Sequence, residues 1–544
     1  MENATGVSTE SIDHLGLVAG MIEELGIDRL IDELLPSNKE LSHGKAVAAM
    51  ILNGLGYANK RLYLTPRFFE KKACSILLGE DISPEMVNHD SLSRTLDALF
   101  AYGVSDLYSQ IAASCVKTLD LECKQIHMDS TSFHVDGVYN SEDEKSEKVI
   151  QLTKGYSRDH RSDLNQVVLN LIVENIAGVP LYMQPLSGNS VDKEGFGNIV
   201  KEHIASLKAA QSDAILVADS ALYVASTIQK LHEQKRPFIT RVPSMLKDAK
   251  GLLASVATLE FETLDENYRA YTTASTYADV PQRWFLIESK AAKARESKTA
   301  LKNAQKCFES EEKNFLHLSK KPFFCEADAL KALEVFRSNL IASDLNDTLI
   351  QVTSGFSKKG RPKKDQSPDQ KTFYIQGNIC KKVSYEEEQQ DASGYFILST
   401  TTDLNAAEVL KEYKSQQRVE RGFRFLKSPE FLSDAFYLKK PERIEAMLLI
   451  MTLCLLVYSA LEHTLRKRLK QTDTYALDQL GKPTQNPTAR WIFETFYEIQ
   501  YVIIPQLSQT ILANLKEENK TILDTLGSRY WSFYTPLSKI KKNL

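Results

Sequence analysis

The chain has 544 residues, of which 43% are hydrophobic and 25% charged, and its formal net charge is −4. This length predicts three or four domains, and the balanced charge excludes a protein that is basic over its whole surface, although positive charge can still be concentrated locally. Seven scattered cysteines without a C-x-x-C pair argue against a disulfide framework and a zinc site, and they favour a reducing, cytosolic compartment.

Residues 1–120 are predicted to form an N-terminal helical region, with apolar residues at helical spacing in Ile22–Leu35, Gly44–Tyr57 and Asp90–Tyr102. The stretch 45–72 carries six Lys or Arg against one acid, with four aromatic residues between them. This pattern fits a module that contacts DNA ends. It fits equally a helical domain with a solvated basic face, and the sequence leaves both open.

Alternation with period two begins near residue 124 and marks the first part of a predicted sheet domain, residues 121–244. Three strands in a hairpin series are followed by helix, strand, helix and strand. This order predicts an RNase H-like mixed sheet. The predicted elements are the strands Gln125–Asp129, Gln166–Val173 and Val179–Gln184, the helix Lys193–Ala210, the strand Ala214–Asp219, the helix Val224–Gln234 and the strand Pro237–Arg241.

Residues 245–394 break this rhythm and are predicted to be an inserted α+β domain, after which residues 395–470 resume the sheet domain and 471–544 form a C-terminal helical region. The predicted fold class is therefore α/β: an RNase H-like mixed sheet with an inserted α+β domain and helical regions at both ends. The apolar run 446–461 is shorter than the roughly 20 residues of a membrane span, so it is predicted to be a buried core helix and no membrane is expected.

Acids stand at the predicted ends of two core strands, at Asp129 and Asp219. Ligands of open α/β sheets bind at such an edge, and a helix carrying Glu420 could pack there. Three converging carboxylates repel one another unless cations neutralise them, and an all-oxygen ligand set favours Mg²⁺ or Mn²⁺. Two such ions support phosphoryl transfer on nucleic acid. Each acid has a simpler alternative: a turn cap at Asp129, a helix N-cap at Asp219, or a solvated helix face at Glu420.

The predicted Glu420 helix places Tyr413, Gln416, Glu420 and Lys427 on one face, because they are spaced by three, four and seven residues. Asp403 is its predicted N-cap.

Three further residues have two interpretations each. His127 shares a strand face with Asp129 and is expected to pack or to support the site rather than to bind a metal. Trp284 could stack on an extruded base, but core packing is the preferred interpretation. Arg361, in the basic loop Ser357–Lys364, could enter a DNA minor groove or lie in a solvated loop.

Taken together, these residues closely resemble the DDE transposases of bacterial insertion sequences, in the superfamily named for its Y-x2-R-x3-E-x6-K signature. Tyr413, Glu420 and Lys427 match the signature at its spacing, and Gln416 stands at the Arg position. The resemblance covers about residues 40 to 470. Four more segments carry it: Asp129–Thr131, Ala218–Leu222, Lys154–Gln166 and Pro185–Asn189.

The resemblance implies that Asp129, Asp219 and Glu420 hold two Mg²⁺ ions, which Mn²⁺ may replace. It implies phosphate contacts from Tyr413 and Lys427, and we also predict DNA contacts from Gln416, Arg424 and Arg361. Family members cut double-stranded DNA at terminal inverted repeats and join the freed 3′-hydroxyl to target DNA. They act as homodimers that pair both ends, here expected in the bacterial cytoplasm in association with the nucleoid.

Two other functions remain open from the sequence. A catalytically silent DNA-binding derivative would regulate transposition without cutting DNA. Another RNase H-like nuclease would cleave without end specificity and without strand transfer.

Overall fold

The computed structural model describes residues 7–56, 64–135, 149–155, 161, 163–190, 214–355, 370–385, 393–428, 438, 440–507 and 509–535. The predicted helix 193–210 and the basic loop with Arg361 therefore lie outside the described residues. The strands, in chain order, are β1 (Ser8–Ser11), β2 (Gln125–Val135), β3 (Asn165–Glu174), β4 (Pro180–Ser187), β5 (Ile215–Ala218), β6 (Phe238–Arg241), β7 (Glu262–Thr263), β8 (Tyr268–Tyr277), β9 (Val280–Ser289), β10 (Ser343–Gly355), β11 (Gln370–Lys381), β12 (Tyr395–Thr400), β13 (Ala476–Leu477), β14 (Pro483–Thr484), β15 (Gln500–Ile504) and β16 (Gln509–Ala513).

Helices surround and flank these strands. They are α1 (Leu15–Leu25), α2 (Ile27–Leu34), α3 (His43–Gly54), α4 (Thr65–Phe69), α5 (Cys74–Leu78), α6 (His89–Tyr102), α7 (Val104–Leu119), α8 (Ala225–Glu233), α9 (Lys247–Ala254), α10 (Lys290–Lys320), α11 (Glu326–Ser338), α12 (Ala406–Lys414), α13 (Gln417–Leu426), α14 (Pro441–Gln471), α15 (Ala489–Thr495), α16 (Glu517–Leu526) and α17 (Ser528–Phe533). The predicted helix Ile22–Leu35 is two helices, because Gly26 adopts a left-handed φ of 66° between α1 and α2.

A nine-stranded mixed sheet in the order β4-β3-β2-β5-β6-β12-β9-β8-β7 organises the described chain. β2, β3 and β4 are antiparallel neighbours, and β5 and β6 continue the sheet in parallel with β2. Its first five strands thus form a hairpin series followed by two crossover strands. The predicted RNase H-like mixed α/β fold is confirmed.

The sheet is buried on both faces by different parts of the chain. One face, with Met128, Leu216 and Phe238, joins the main core, which extends to the terminal helical regions. The opposite face carries Val217, which packs in a smaller cluster with Val409 of α12. A sheet covered on both sides explains why β5 is entirely apolar and why the first three residues of β6 are buried. The smaller cluster fixes the helix that leads to Glu420.

The inserted region differs from its predicted extent, because β7, β8 and β9 belong to the main sheet. The whole length of β12 pairs with β9, with Leu286 opposite Ile397. A separate small core forms only beyond β9, where Phe315 of α10 packs with the β10–β11 hairpin and α11. The apolar run in β9 indicated a buried strand, but strand pairing between residues more than 100 positions apart leaves no local sequence signal.

The C-terminal region also differs from the prediction, since it contains strands as well as helices. β1 pairs with β15, and β15 pairs with β16, in a separate three-stranded sheet that joins the two ends of the chain. A Cβ on Gly16 would lie 2.7 Å from the Tyr534 ring, and one on Gly20 would lie 2.6 Å from the Tyr530 ring. These glycines let α1 approach the last helices closely.

The helix α14 passes through the centre of this core. By length and composition it is the one described helix that could cross a membrane, but 89% of its most apolar window is buried inside the protein. Such burial is typical of the central helix of a large globular core, as predicted for the run 446–461.

Candidate active site

Asp129 and Asp219 occupy adjacent positions on neighbouring parallel strands. The β2–β5 register pairs Met128 with Ala218, so the next residue on each strand is one of the two aspartates. Neighbouring strands lie about 4.8 Å apart. Side chains alternate along a strand, and Asp219 has an extended ψ of −173°. Both carboxylates therefore lie on the face that α12 covers.

The position of Asp129 within its strand differs from the prediction. It is not the last residue of β2, which continues to Val135 and keeps its pairing with β3. What ends next to Asp129 is the partner strand β5. The backbone of Asp129 therefore stays within the sheet, and β5 ends beside it.

Local hydrogen bonds hold both aspartates. Asp129 is 8% exposed, and its Oδ1 accepts from the Ser130 backbone N–H at 2.8 Å. Asp219 Oδ1 accepts from Ala221 N–H at 2.9 Å and caps the 3₁₀ turn Ser220–Leu222. The capping role considered for Asp219 is therefore real, and it orients the carboxylate rather than excluding it from a metal site.

The predicted helix from Asp403 to Lys427 is two helices, α12 and α13, with a break at Ser415 and Gln416. Its N-cap is Asn405 instead of Asp403, because Asn405 and Glu408 form a reciprocal capping box. At the break, Gln416 N–H donates to Tyr413 O at 3.2 Å, a tighter turn than in an α-helix. Beyond the break, α13 packs against β2, whereas α12 covers β5 and β6.

The pKa of the Tyr413 phenol is influenced by all three predicted acids. Burial raises its pKa to about 12, Arg241 opposes this, and the negative charges of Asp219, Glu420 and Asp129 raise it further. Its ring lies 6.3 Å from that of Phe396 on β12. The structure therefore brings the two aspartates and Glu420 into the electrostatic environment of one side chain.

Glu420 itself is exposed, in the first turn of α13. Among the described residues, no three His, Cys, Asp or Glu side chains are close enough together to form a metal-binding group. The three carboxylates hence surround a common region without meeting at one point. Their oxygen-only chemistry fits a hard divalent cation.

The other predicted DNA-contacting residues have different environments. Arg424 is exposed. The Lys427 ammonium lies 6.0 Å from the centre of the Phe133 ring on β2, further along the strand than Asp129. Gln416 is 8% exposed, so in this conformation its side chain is not presented to a phosphate, and its predicted contact stays a prediction.

His127 connects the sheet to the break between the helices. Its Nε2 lies 3.1 Å from Asn175 Oδ1 and 3.0 Å from Ser415 Oγ. Ser415 Oγ donates to Glu412 O, so it accepts from an Nε2–H of the imidazole. Asn175 Nδ2 donates to Glu412 Oε2 at 3.2 Å. The fully buried His127 thus ties β2, two residues before Asp129, to the segment between Tyr413 and Glu420.

Arg241 is a site residue that the sequence reasoning missed. The β5–β6 register pairs Ala218 with Thr240, which makes Arg241 the lateral neighbour of Asp219. Arg241 is exposed, and its guanidinium lies 5.5 Å from the centre of the Phe396 ring. The sequence does carry a signal for Arg241. It ends a predicted strand, as Asp129 and Asp219 do, and a cation at a strand end can take part in a site as well as an acid can.

Trp284 and two aromatic residues of the N-terminal basic stretch pack into the core, whereas residues 57–63 of that stretch lie outside the described residues. Trp284 is 3% exposed and its Nε1–H donates to the Tyr223 hydroxyl at 3.2 Å, as the preferred interpretation expected. In the N-terminal basic stretch, Phe68 and Phe69 are buried. Lys72 forms an ion pair with Asp13 at 2.6 Å. These side chains stabilise the helical region and are not available to stack on bases.

The chain is similar to two known families and to a solved structure. Residues 125–457 match the family described as "Transposase DDE domain", and residues 7–113 match a domain of unknown function, DUF4277. No curated protein matches the chain. A cryo-EM structure of the piggyBac transposase synaptic complex with hairpin DNA aligns with 99% of this chain and 87% of its own, at 9% identity and a TM-score of 0.39, a likeness too weak to carry an argument.

The family match extends from the first residue of β2 into α14 and includes both aspartates and Glu420. It spans 333 of the 544 residues, more than half of the chain. The chain belongs to the transposase DDE domain family and is a DDE transposase.

Proposed function

We propose that Asp129, Asp219 and Glu420 are the catalytic carboxylates and that they bind two divalent ions, Mg²⁺ in the cell and Mn²⁺ as a substitute. The main support is that all three negative charges act on the Tyr413 phenol. Two of them also stand side by side on parallel strands. An oxygen-only donor set suits these cations. When bound, such ions activate an attacking hydroxyl and stabilise the leaving oxygen at phosphorus.

The side chains around the carboxylates would position the DNA backbone. Because the pKa of Tyr413 is about 12, its phenol stays protonated at neutral pH and can donate a hydrogen bond to a phosphate. Arg241 is exposed beside Asp219 and can neutralise a phosphate there. Arg424 and Lys427 extend the cationic surface along α13.

In this proposal the enzyme cuts double-stranded DNA at the terminal inverted repeats of an insertion sequence. It then directs the freed 3′-hydroxyl to a phosphodiester of target DNA. A homodimer would hold the two ends together, and the reaction would take place on the nucleoid in the bacterial cytoplasm. A dimer is proposed because both ends must be processed in one complex.

The test is nicking of a labelled duplex that carries the element's own ends, with Mg²⁺. Asp129→Ala is expected to lower the nicking rate by at least about 10³-fold, as befits the loss of a central electrostatic group. Asp403→Asn is the matched control, since Asp403 is exposed and caps no helix, and it should nick like the wild type.

Equal nicking by Asp129→Ala and the wild type would refute the proposed site. A wild type that binds ends without cutting them would identify a silent regulator. Cleavage without joining, and without preference for the ends, would identify a nuclease of another kind.

A further inference from the structure

A cationic stripe runs along α10 outside the site described above. It consists of Arg295, Lys298, Lys302 and Lys306, which are all exposed. Their spacing of three, four and four residues places them on one helix face, over about 16 Å of helix length. No acid occupies this face between the first and the last of them. In the part of the chain that the structure describes, none of the four forms an ion pair.

The opposite face of α10 packs against the protein, so the stripe faces solvent. Ala304 and Phe315 are buried there. Glu311 accepts hydrogen bonds from Ile341 N–H at 2.8 Å and from the Ser343 hydroxyl at 2.5 Å. Glu296 accepts from Gly394 N–H at 2.7 Å, which fixes the first turns to the start of β12. The stripe is therefore presented by a helix that is fixed at several points.

The origin of α10 connects the stripe to the catalytic edge of the sheet. β12 is antiparallel to both β6 and β9, so β9 runs in the same direction as β2, β5 and β6. Leu398 pairs with Arg241 on one side and with Phe285 on the other. Phe285 is thus level with the aspartates, and β9 continues four residues beyond them before α10 begins. The helix leaves from the edge at which the acids lie.

We propose that this stripe binds the sugar–phosphate backbone of the target duplex during strand transfer. The inference rests on the proposed function, because it assumes that target DNA reaches the edge with Asp129 and Asp219. Three of the four cations are lysines, which are mobile point charges on a helix exterior. Such contacts hold phosphates without reading bases. Terminal repeats must be recognised by sequence, whereas these contacts carry no sequence information, so the stripe suits the target duplex rather than the ends.

The test uses the full-length protein with all four stripe residues changed to Gln. The matched control changes Lys117, Lys124, Lys230 and Lys235 to Gln. These lysines precede the starts of β2 and β6 at the opposite end of the sheet, so the loss of charge is the same. Both variants are assayed on pre-nicked transposon ends for end binding and for joining to a plasmid target, at several salt concentrations.

We expect the stripe variant to bind ends within about twofold of the wild type and to join them to target at least about tenfold more slowly. The salt dependence of binding to an unrelated duplex, measured without metal, should fall by about three to four in logarithmic slope. Wild-type joining, an equal defect in the control variant, or an equal loss of end binding would each overturn the assignment. The metal-free binding assay is independent of catalysis, so it separates this inference from a failure of the proposed active site.

Discussion

The proposed catalytic carboxylates belong to two regions that are held in place in different ways. Asp129 lies in the sheet and Asp219 directly follows β5, and strand pairing and local backbone hydrogen bonds fix both. Glu420 is exposed on a ten-residue helix that follows a break in the chain. Strand pairing and backbone hydrogen bonds thus hold the two aspartates, whereas the Glu420 side chain is held only through its helix. This difference predicts that the same small change has unequal effects in the two regions.

The largest expected effect comes from moving a carboxylate by one methylene group. Asp129→Glu and Asp219→Glu should each lower the nicking rate at least about 10²-fold, because a displacement near 1 Å in a fixed site costs that much. Glu420→Asp should lower it only about tenfold, since α13 can shift to compensate. Single-turnover nicking in Mg²⁺ measures all three.

The comparison would fail if Glu420→Asp were as damaging as the two sheet variants. Thermal unfolding of each variant provides the control, because a loss of fold would lower the melting temperature together with the rate.

The next largest effect is expected at Tyr413, which stands between the two regions. Tyr413→Phe removes a donor to a charged phosphate and should slow nicking roughly 10- to 100-fold, the equivalent of about 1.5–3 kcal/mol. The wild-type rate should show no inflection from this phenol between pH 7 and 9, because its pKa is about 12 and it remains protonated throughout. A tyrosine-dependent rise or fall within that window would contradict the donor role.

The smallest effect is expected at His127, which links the regions. His127→Leu removes the hydrogen bonds to Asn175 and Ser415 and should reduce nicking about fivefold, as expected for a net contribution near 1 kcal/mol. His127→Gln keeps an N–H donor near the same position and should recover most of the rate.

If His127 acts by positioning Glu420, His127→Leu should also raise the Mg²⁺ concentration needed for half-maximal nicking. Binding to the transposon ends, which does not depend on Glu420, should not change. Equal rates for the Leu and Gln variants would show that volume, not the hydrogen bond, is what matters at this position.

The sheet core could be predicted from the sequence, and the three candidate acids could be proposed from it, because both leave local signals. Period-two alternation marked β2 to β4, and an apolar run followed by an acid marked Asp219. The same signals could not show that β2 continues past Asp129, because that depends on which partner strand stops. They also could not assign β9 to the main sheet, since its pairing with β12 spans the inserted unit.

The helix of the site was predicted less well, for two physical reasons. Asp403 and Asn405 are both good N-caps, and only the reciprocal bond with Glu408 selects Asn405. At the break, Ser415 contacts His127 of the sheet, and such a long-range contact leaves no trace in helical periodicity. Arg241 ends a third strand at the same edge, but a cation gives no signal in a pattern defined by metal-binding acids.

The pairing of β1 with β15, and the contacts of Gly16 and Gly20 with Tyr534 and Tyr530, constrain the order of events during synthesis. The helix α1 cannot bury the face that contacts Tyr530 and Tyr534 until these residues have left the ribosome. Throughout translation, the apolar surface of α1 stays exposed, and chaperones or transient contacts have to shield it. A nascent chain therefore lacks a finished N-terminal region, and premature termination before residue 530 would leave a protein that is both incomplete and prone to aggregate.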